Sequence, residues 1–222
     1  MIDDSPAVRL AETRLAIAKA ATRAGRAAQE VELVAVSKTQ PAEAILKLLE
    51  AGQRHFGENR VQEAQAKWSS LRARFPETRL HLIGQLQSNK ADDAVALFDA
   101  IHSVDRASLV AALARAVDKA GKRPDCFIQV NIGDEAKKGG CPVADLPELL
   151  ADANDAGLAV KGLMCIPPAN VEPAPYFALL AKLARRHDLA SLSMGMSADF
   201  ETAVTLGATH VRLGTALFGD RA

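Results

Sequence analysis

Residues 31–38 read VELVAVSK, an apolar run that predicts a buried β-strand with a lysine at its end. Seven further apolar or β-branched runs follow, separated by helical patterns: RHFGEN (54–59), RLHLIGQ (79–85), AIHSVD (100–105), DCFIQVNI (125–132), LAVKGLMCI (158–166), SLSMGM (191–196) and HVRLGTALFG (210–219). Alternating strands and helices predict parallel strands with helical crossovers. Eight such units close naturally into an α/β fold of the (β/α)₈ or TIM-barrel type.

The organisation of the chain is equally simple. We find no linker and no low-complexity segment, so residues 1–222 are interpreted as a single domain. An open, doubly wound sheet is the competing fold, but no Gly-x-Gly-x-x-Gly motif follows the first strand. An extra helix precedes the barrel, and Val8, Ala11, Leu15 and Ala18 predict its buried stripe.

Composition excludes several classes of function. The 27 basic and 27 acidic side chains cancel, so no overall field favours nucleic acid or an anionic membrane. No apolar run approaches the roughly 18 residues that span a bilayer. The N-terminus MIDDSPAVRL lacks signal-peptide features, and we expect a cytoplasmic location. The three cysteines form no Cys-x-x-Cys pair, which predicts neither a disulfide framework nor a zinc site.

Lys38 is the first candidate for chemistry. Active sites of such barrels lie at the C-terminal ends of the strands, where Lys38 follows the first apolar run. An amine with its stem against apolar walls is more often neutral and can attack an aldehyde. On this feature alone, a lysine that simply reaches solvent is the better interpretation. Lys161 begins the sixth strand, and Lys90 is typical of a solvated first helical turn.

The other end of the chain predicts a phosphate site. Residues 193–197 read SMGMS after the seventh strand, and residues 212–215 read RLGT on the eighth. The loops after these two strands form the recurrent phosphate site of TIM barrels. Gly195 and Gly214 would let backbone N–H groups approach an anion, and Thr215 would add a hydroxyl donor. Ser197 could also cap the helix that follows it.

Three histidines invite a metal hypothesis. His55, His81 and His102 fall on strands two, three and four, near the beginning of each strand. That is the structural rather than the catalytic end of a barrel. No His-x-His or His-Glu-x-x-His pattern is present, so we predict core or bottom-face histidines and no metal.

Six motifs taken together resemble the pyridoxal phosphate homeostasis protein family. They are AVSKTQP (35–41), FGENRVQEA (56–64), IGQLQSNK (83–90), GLMCIPP (162–168), SMGMSADF (193–200) and VRLGTALFG (211–219), in family order across nearly the whole chain. The resemblance implies a barrel like the N-terminal domain of bacterial alanine racemase, a fold-type III protein of pyridoxal 5′-phosphate (PLP). It also implies that PLP forms an internal aldimine on Lys38.

The resemblance further implies the cofactor contacts. By motif position, Asn59 lines the pocket and Arg212 faces the pyridine nitrogen. The remaining implied contacts lie after strands seven and eight, with Ser197, Gly214 and Thr215 on the phosphate and Ser193 and Met194 beside the cofactor. Cys165 departs from the family pattern, because a smaller residue is commoner at that position.

The expected function is that of a PLP carrier or buffer in vitamin B6 homeostasis, without strong catalysis. A permanently protonated arginine beside the ring makes PLP a poorer electron sink. Related racemases take a tyrosine from an additional domain, whereas the only tyrosine here, Tyr176, begins an outer helix. Two alternatives stay open: a racemase completed by another residue or subunit, and a Schiff-base aldolase or lyase. Expected partners are free amino acids and apo PLP-dependent enzymes, and the expected state is a monomer or weak dimer.

Overall fold

The computed structural model describes residues 5–136 and 138–219. Eight parallel strands close into a barrel in chain order, which confirms the predicted fold. The strands are β1 (Glu32–Val36), β2 (His55–Glu58), β3 (Arg79–Leu82), β4 (Ala100–Val104), β5 (Asp125–Gln129), β6 (Ala159–Met164), β7 (Ser191–Ser193) and β8 (His210–Leu213).

Helices surround the barrel. Helix α1 (Pro6–Arg23) precedes β1, and the crossovers contain α2 (Ala42–Glu50), α3 (Val61–Arg74), α4 (Ala91–Leu97), α5 (Ala107–Ala120), α6 (Leu146–Asp155), α7 (Ala174–Arg186) and α8 (Phe200–Thr205). A short helix, α9 (Thr215–Phe218), follows β8. Within the described residues, no helix has the length and apolar character needed to cross a membrane.

The extra N-terminal helix is present, but its predicted buried stripe is wrong. The buried residues of α1 include Leu10, Thr13, Ile17 and Ala20, whereas Leu15 is 56% exposed. The predicted stripe through Val8, Ala11, Leu15 and Ala18 is thus rotated away from the core. The buried stripe of α1 includes the polar Thr13. A search for apolar residues at helical spacing does not detect a stripe that a threonine interrupts.

Strand order brings the two ends of the chain together. Strand β1 pairs with β2 on one side, through Ala35 and Phe56, and with β8 on the other, through Val34 and Arg212. Strand β8 also pairs with β7. Because parallel strands end at the same rim, the loop after β1 lies between those after β2 and β8. The segment that carries Lys38 is therefore adjacent to the last strand.

Candidate functional site

Lys38 lies in a tight turn that helix α3 holds in place. It is half-buried, two residues beyond β1, and the next residue, Thr39, has a φ of 61°. A left-handed conformation in a non-glycine residue costs of order 1–3 kcal/mol, so the surroundings must impose it. The Thr39 N–H donates to Glu63 Oε1 at 2.6 Å, and Lys67 Nζ donates to the Ser37 carbonyl at 2.8 Å. Both partners belong to α3.

A buried carboxylate supports this turn. Glu58, at the end of β2, is 0% exposed and accepts hydrogen bonds from Ser37 Oγ at 2.7 Å and Trp68 Nε1 at 3.0 Å. Lys67 Nζ lies 2.8 Å from Glu58 Oε1 and completes an ion pair. Sequence reasoning missed this network. Its signal was a carboxylate at the C-terminal end of a short strand.

Arg212 is a buried cation at the same end of the barrel. Its side chain donates from Nη1 to Ser193 Oγ at 2.7 Å and from Nη2 to the Cys165 carbonyl at 2.9 Å. Burial lowers the pKa of Arg212, but a guanidinium stays protonated in proteins. None of the ion pairs among the described residues includes Arg212. The positive charge of Arg212 therefore favours a ligand atom that accepts a hydrogen bond and is either neutral or negatively charged.

Two predicted neighbours of the cofactor differ in their surroundings. Ser193 is fully buried and contacts Arg212 directly. Met194 is also fully buried, but it packs in the hydrophobic core cluster. A contribution from Met194 to the mouth would therefore come through its backbone.

The loops after β7 and β8 meet, as the phosphate hypothesis requires. Ser197 Oγ accepts a hydrogen bond from the Ala216 N–H at 3.3 Å, which joins the loop after β7 to the first turn of α9. The prediction that Ser197 caps the helix after it is wrong. Asp199 lies at the N-cap of α8, and its Oδ1 accepts from the Met196 N–H at 2.6 Å. Asp199 directly precedes α8, which places it closer to the helix than Ser197.

The glycines of these loops are required to different degrees. Gly195 has a φ of 94°, and an added Cβ would lie 2.6 Å from the Cβ of Ala203, so a larger residue is strained twice over. At Gly214 an added Cβ would lie 3.6 Å from Val36 Cβ, an ordinary contact. Thr215 is exposed at the start of α9. A short extra helix after β8 is typical of phosphate sites in TIM barrels.

Asn59 lines a cavity of about 290 Å³ at the barrel mouth. Its lining also includes two glutamines that follow or end strands, Gln85 after β3 and Gln129 at the end of β5. Gln85 Nε2 donates to Gln129 Oε1 at 2.7 Å, and Gln129 Nε2 donates to the Gly139 carbonyl at 3.0 Å. Sequence reasoning missed both glutamines, although polar residues at strand ends were a usable signal.

The prediction of core or bottom-face histidines is confirmed, because His81 and His102 are buried and the half-buried His55 begins β2. His81 and His102 are buried, and each is hydrogen-bonded to other side chains. Burial lowers the pKa of both rings well below 6.5, which keeps them neutral. Among the described residues, no three His, Cys, Asp or Glu side chains are grouped to hold a metal.

Lys138 lines the mouth cavity with Asn59, whereas the other residues considered for acid–base chemistry are poorly suited to it. The Cys165 thiol is fully buried, and burial raises its pKa to about 12. Tyr176 lies in the first turn of the outer helix α7. Lys161 is exposed, with Nζ 3.9 Å from Asp125 Oδ1. Lys90 ends a 3₁₀ turn before α4.

Comparison with known proteins assigns this barrel, with its half-buried lysine after β1 and buried arginine on β8, to the alanine racemase type. The family model "Alanine racemase, N-terminal domain" matches residues 14–222. The chain belongs to the pyridoxal phosphate homeostasis protein family. The member from Escherichia coli K12 is 40% identical over 223 residues, covering 96% of this chain and 95% of the relative. The Pseudomonas aeruginosa PAO1 member is 42% identical over 219 residues, covering 96% and 94%.

Solved structures agree with this assignment. PipY of Synechococcus elongatus PCC7942, solved with PLP bound, matches with a TM-score of 0.84 and 40% identity, covering 97% of this chain and all of that one (100%). An alanine racemase from Clostridium difficile 630 matches with a TM-score of 0.69 and 12% identity, covering 86% of this chain and 53% of that chain. The second match shows a shared fold alone.

Proposed function

We propose that this chain binds PLP covalently through Lys38 and serves in vitamin B6 homeostasis as a carrier or buffer. The observation that carries the proposal is that Lys38 follows β1 while the neighbouring strand β8 carries the buried Arg212, which forms no ion pair among the described residues. The similarity to PipY, solved with PLP bound, supports the choice of ligand.

The residues at the mouth fit PLP group by group. The Lys38 amine can attack an aldehyde, and Arg212 can donate to a ring nitrogen that carries no proton. Ser197, Gly214 and Thr215 would hold the phosphate through hydroxyl and backbone donors, with Asn59 and Ser193 beside the ring. PLP, when bound, supplies an electron-withdrawing ring. A fixed positive charge against its nitrogen reduces that capacity.

The same residues argue against strong turnover. Amino-acid chemistry on PLP needs positioned proton transfer, which typically contributes about 10²–10⁴-fold. Cys165, with a pKa near 12, holds its proton at neutral pH, and Tyr176 lies on the outer layer. His81 and His102 are hydrogen-bonded inside the barrel. Neither Cys165 nor Tyr176 is therefore suited to be the second acid–base group at the substrate carbon, and Lys138, which lines the mouth cavity, is the remaining candidate among the described residues.

Transfer to recipients follows from this chemistry. Release of PLP needs only hydrolysis or exchange with another amine, so apo PLP-dependent enzymes are the proposed recipients. Free amino acids would react slowly with the bound cofactor. We propose a monomer or weak dimer as the working state. A racemase completed by a partner subunit would instead require that partner for any turnover.

The first experiment locates the covalent link. The PLP-loaded chain is reduced with borohydride and digested, and peptide mapping is expected to place the phosphopyridoxyl mass on Lys38. Lys38→Ala should abolish both the visible absorbance band and the label, while Lys90→Ala serves as the matched control and keeps both. A label on Lys90 or Lys161 would overturn the assignment.

The second experiment tests the carrier role. The loaded chain is mixed with an apo PLP-dependent enzyme, and recovery of that enzyme's activity is timed against an equal amount of free PLP. Carrier function predicts recovery that continues when a trap for free PLP is present. Recovery that the trap abolishes would reduce the chain to a passive store.

A further inference from the structure

An unbroken chain of hydrogen-bonded side chains runs through the barrel interior. Ser193 Oγ, which accepts from Arg212, lies 2.7 Å from His102 Nδ1. His102 Nε2 lies 3.0 Å from His81 Nδ1, and His81 Nε2 lies 3.1 Å from His55 Nδ1. These residues come from β7, β4, β3 and β2. We call Ser193, His102, His81 and His55 the histidine chain.

The outer end of the histidine chain reaches the opposite face of the barrel. His55 Nε2 lies 2.9 Å from Glu32 Oε2, and the Glu32 side chain is 43% exposed. Both residues line a cavity of about 380 Å³ beside α1. The hydrogen bond from His55 lowers the pKa of Glu32, which makes Glu32 an ionised acceptor at neutral pH. The two ends of the chain are thus a cation, Arg212, and an anion, Glu32.

These ends allow two complete arrangements of hydrogens. An arginine only donates and a carboxylate only accepts. With neutral rings, His55 must donate from Nε2 to Glu32. His81 and His102 must then also carry their hydrogens on Nε2, and Ser193 must donate to His102. With one extra proton on His55, the inner rings carry their hydrogens on Nδ1 instead and stay neutral.

We propose that the histidine chain is a proton relay between the mouth of the barrel and Glu32. One proton enters at Ser193 Oγ from a group at the mouth, and the serine hydrogen passes to His102 Nδ1. The Nε2 hydrogen of His102 passes to His81 Nδ1, and that of His81 passes to His55 Nδ1. Each inner residue gains one hydrogen and loses one. A single positive charge appears on His55 beside Glu32, and the return path reverses these steps.

The surroundings of His81 and His102 favour passing a proton onward and disfavour a positive charge on either ring. The titratable and charged groups that act on them are His55, His210, Arg79 and Arg212. All are basic, so a charge on His81 or His102 is opposed while a charge on His55 meets Glu32. The Phe127 ring also stacks on His102 at 4.2 Å, which keeps water from that face.

The relay gives the mouth a route for a proton that Arg212 rejects. This step rests on the proposed function. If PLP binds with a protonated ring nitrogen, repulsion from the guanidinium of Arg212 favours loss of that proton. Ser193 contacts Arg212 directly, so it is positioned to accept the proton. The ligand itself would close the mouth, while the cavity beside Glu32 lies on the other face.

The test is nitrogen NMR of the full chain with ¹⁵N-labelled histidine, first without PLP. At neutral pH, His81 and His102 are expected to carry hydrogen on Nε2. Acidification that adds one proton to the histidine chain should switch both inner rings to Nδ1–H without charging them. Inner rings that keep their tautomer throughout, or that take up charge themselves, would overturn the relay.

Variants separate the relay from simple packing. His55→Gln should abolish the switch, and Glu32→Gln should move it to lower pH because the stabilising carboxylate is gone. His187→Gln, at the end of the outer helix α7, is the matched control and leaves the switch unchanged. Glu32 is partly exposed, so this second variant keeps the test valid if His55→Gln does not fold.

Addition of PLP at neutral pH then tests the link to function. The same tautomer switch is expected as PLP binds, and its loss in His55→Gln would confirm the route. If PLP failed to bind Lys38, the proposed function would fall while the result without PLP stood. Binding with no switch would overturn the link between relay and ligand.

Discussion

Lys67→Met removes the cation beside a buried carboxylate and leaves the aliphatic stem in place. Glu58 is 0% exposed and the Lys67 side chain is 13% exposed, so the pair is shielded from water. Removing one partner of a buried ion pair costs about 3–5 kcal/mol, because the other charge stays uncompensated. Glu58 keeps two donors, Ser37 and Trp68. We therefore expect a loss at the lower end, about 3 kcal/mol.

Urea denaturation measures this loss directly. With an m-value of about 2–3 kcal/mol per molar, a 3 kcal/mol loss moves the midpoint down by about 1 M at unchanged slope. Lys119→Met is the matched control, because the Lys119 side chain is 73% exposed in its pair with Asp92. The control is expected to leave the midpoint unchanged.

A second substitution tests the physical reason. Ser37 and Trp68 both donate to Glu58 Oε1, so a glutamine can keep that oxygen as acceptor without any charge. Glu58→Gln in the Lys67→Met background should recover the part of the loss that comes from the uncompensated Glu58 charge, whereas the contacts of Lys67 with the Ser37 carbonyl and Glu63 stay lost. A midpoint for Lys67→Met equal to that of the control, or a double variant no more stable than Lys67→Met, would refute the reasoning.

Three further predictions concern binding, pH and turnover. Thr215→Ala and Ser197→Ala should each cost roughly 1.5–3 kcal/mol, about ten- to a hundredfold in PLP affinity, with the fold intact. Pyridoxal, which lacks the phosphate, should bind both variants as it binds the parent in an equilibrium titration. Burial lowers the pKa of His210 to about 4, below the roughly 6.5 of an unfolded histidine. The unfolded chain therefore binds this proton more readily, so the contribution of neutral His210 to stability is present above pH 6.5 and is lost as the pH falls towards 4. This amounts to about 3 kcal/mol, and His210→Gln should reduce the loss of urea-denaturation stability over that window by about this amount, while His81 and His102 keep their own contributions. Turnover of alanine or serine should stay far below the roughly 10 s⁻¹ median of enzymes; a rate near it would make the racemase alternative lead, with Cys165→Ala the first variant to assay.

The repeating strands and helices of the barrel could be predicted from the sequence. Buried parallel strands leave continuous apolar runs, so eight strands and their order could be predicted from pattern alone. The position of Lys38 followed from the rule on strand ends, because Lys38 comes directly after the first run. The stripe of α1 could not be predicted in the same way, since Thr13 interrupts it.

Contacts across the barrel interior could not be predicted, because they depend on stagger between strands. His102 and Ser193 are 91 positions apart in the chain, yet their side chains meet at 2.7 Å. Lys67 and Glu58 are close in sequence, but only the return of α3 against the end of β2 places the amine on the carboxylate. A pattern of apolar runs contains no information on which inward side chains share a layer. The Glu58 network and the histidine chain are therefore findings of the structure.

Arg212 connects the two proposals physically. Its hydrogen bonds fix Ser193 and the Cys165 carbonyl, so the same guanidinium that would face a ligand also forms the inner end of the histidine chain. A lysine at this position would retain the charge but lose the planar fork that donates to two partners. Arg212→Lys should therefore loosen Ser193 and shift the ¹⁵N resonance of His102 Nδ1 even without PLP, while its tautomer stays the same. Because that effect needs no ligand, it would separate the role of Arg212 in the barrel interior from its role at the mouth.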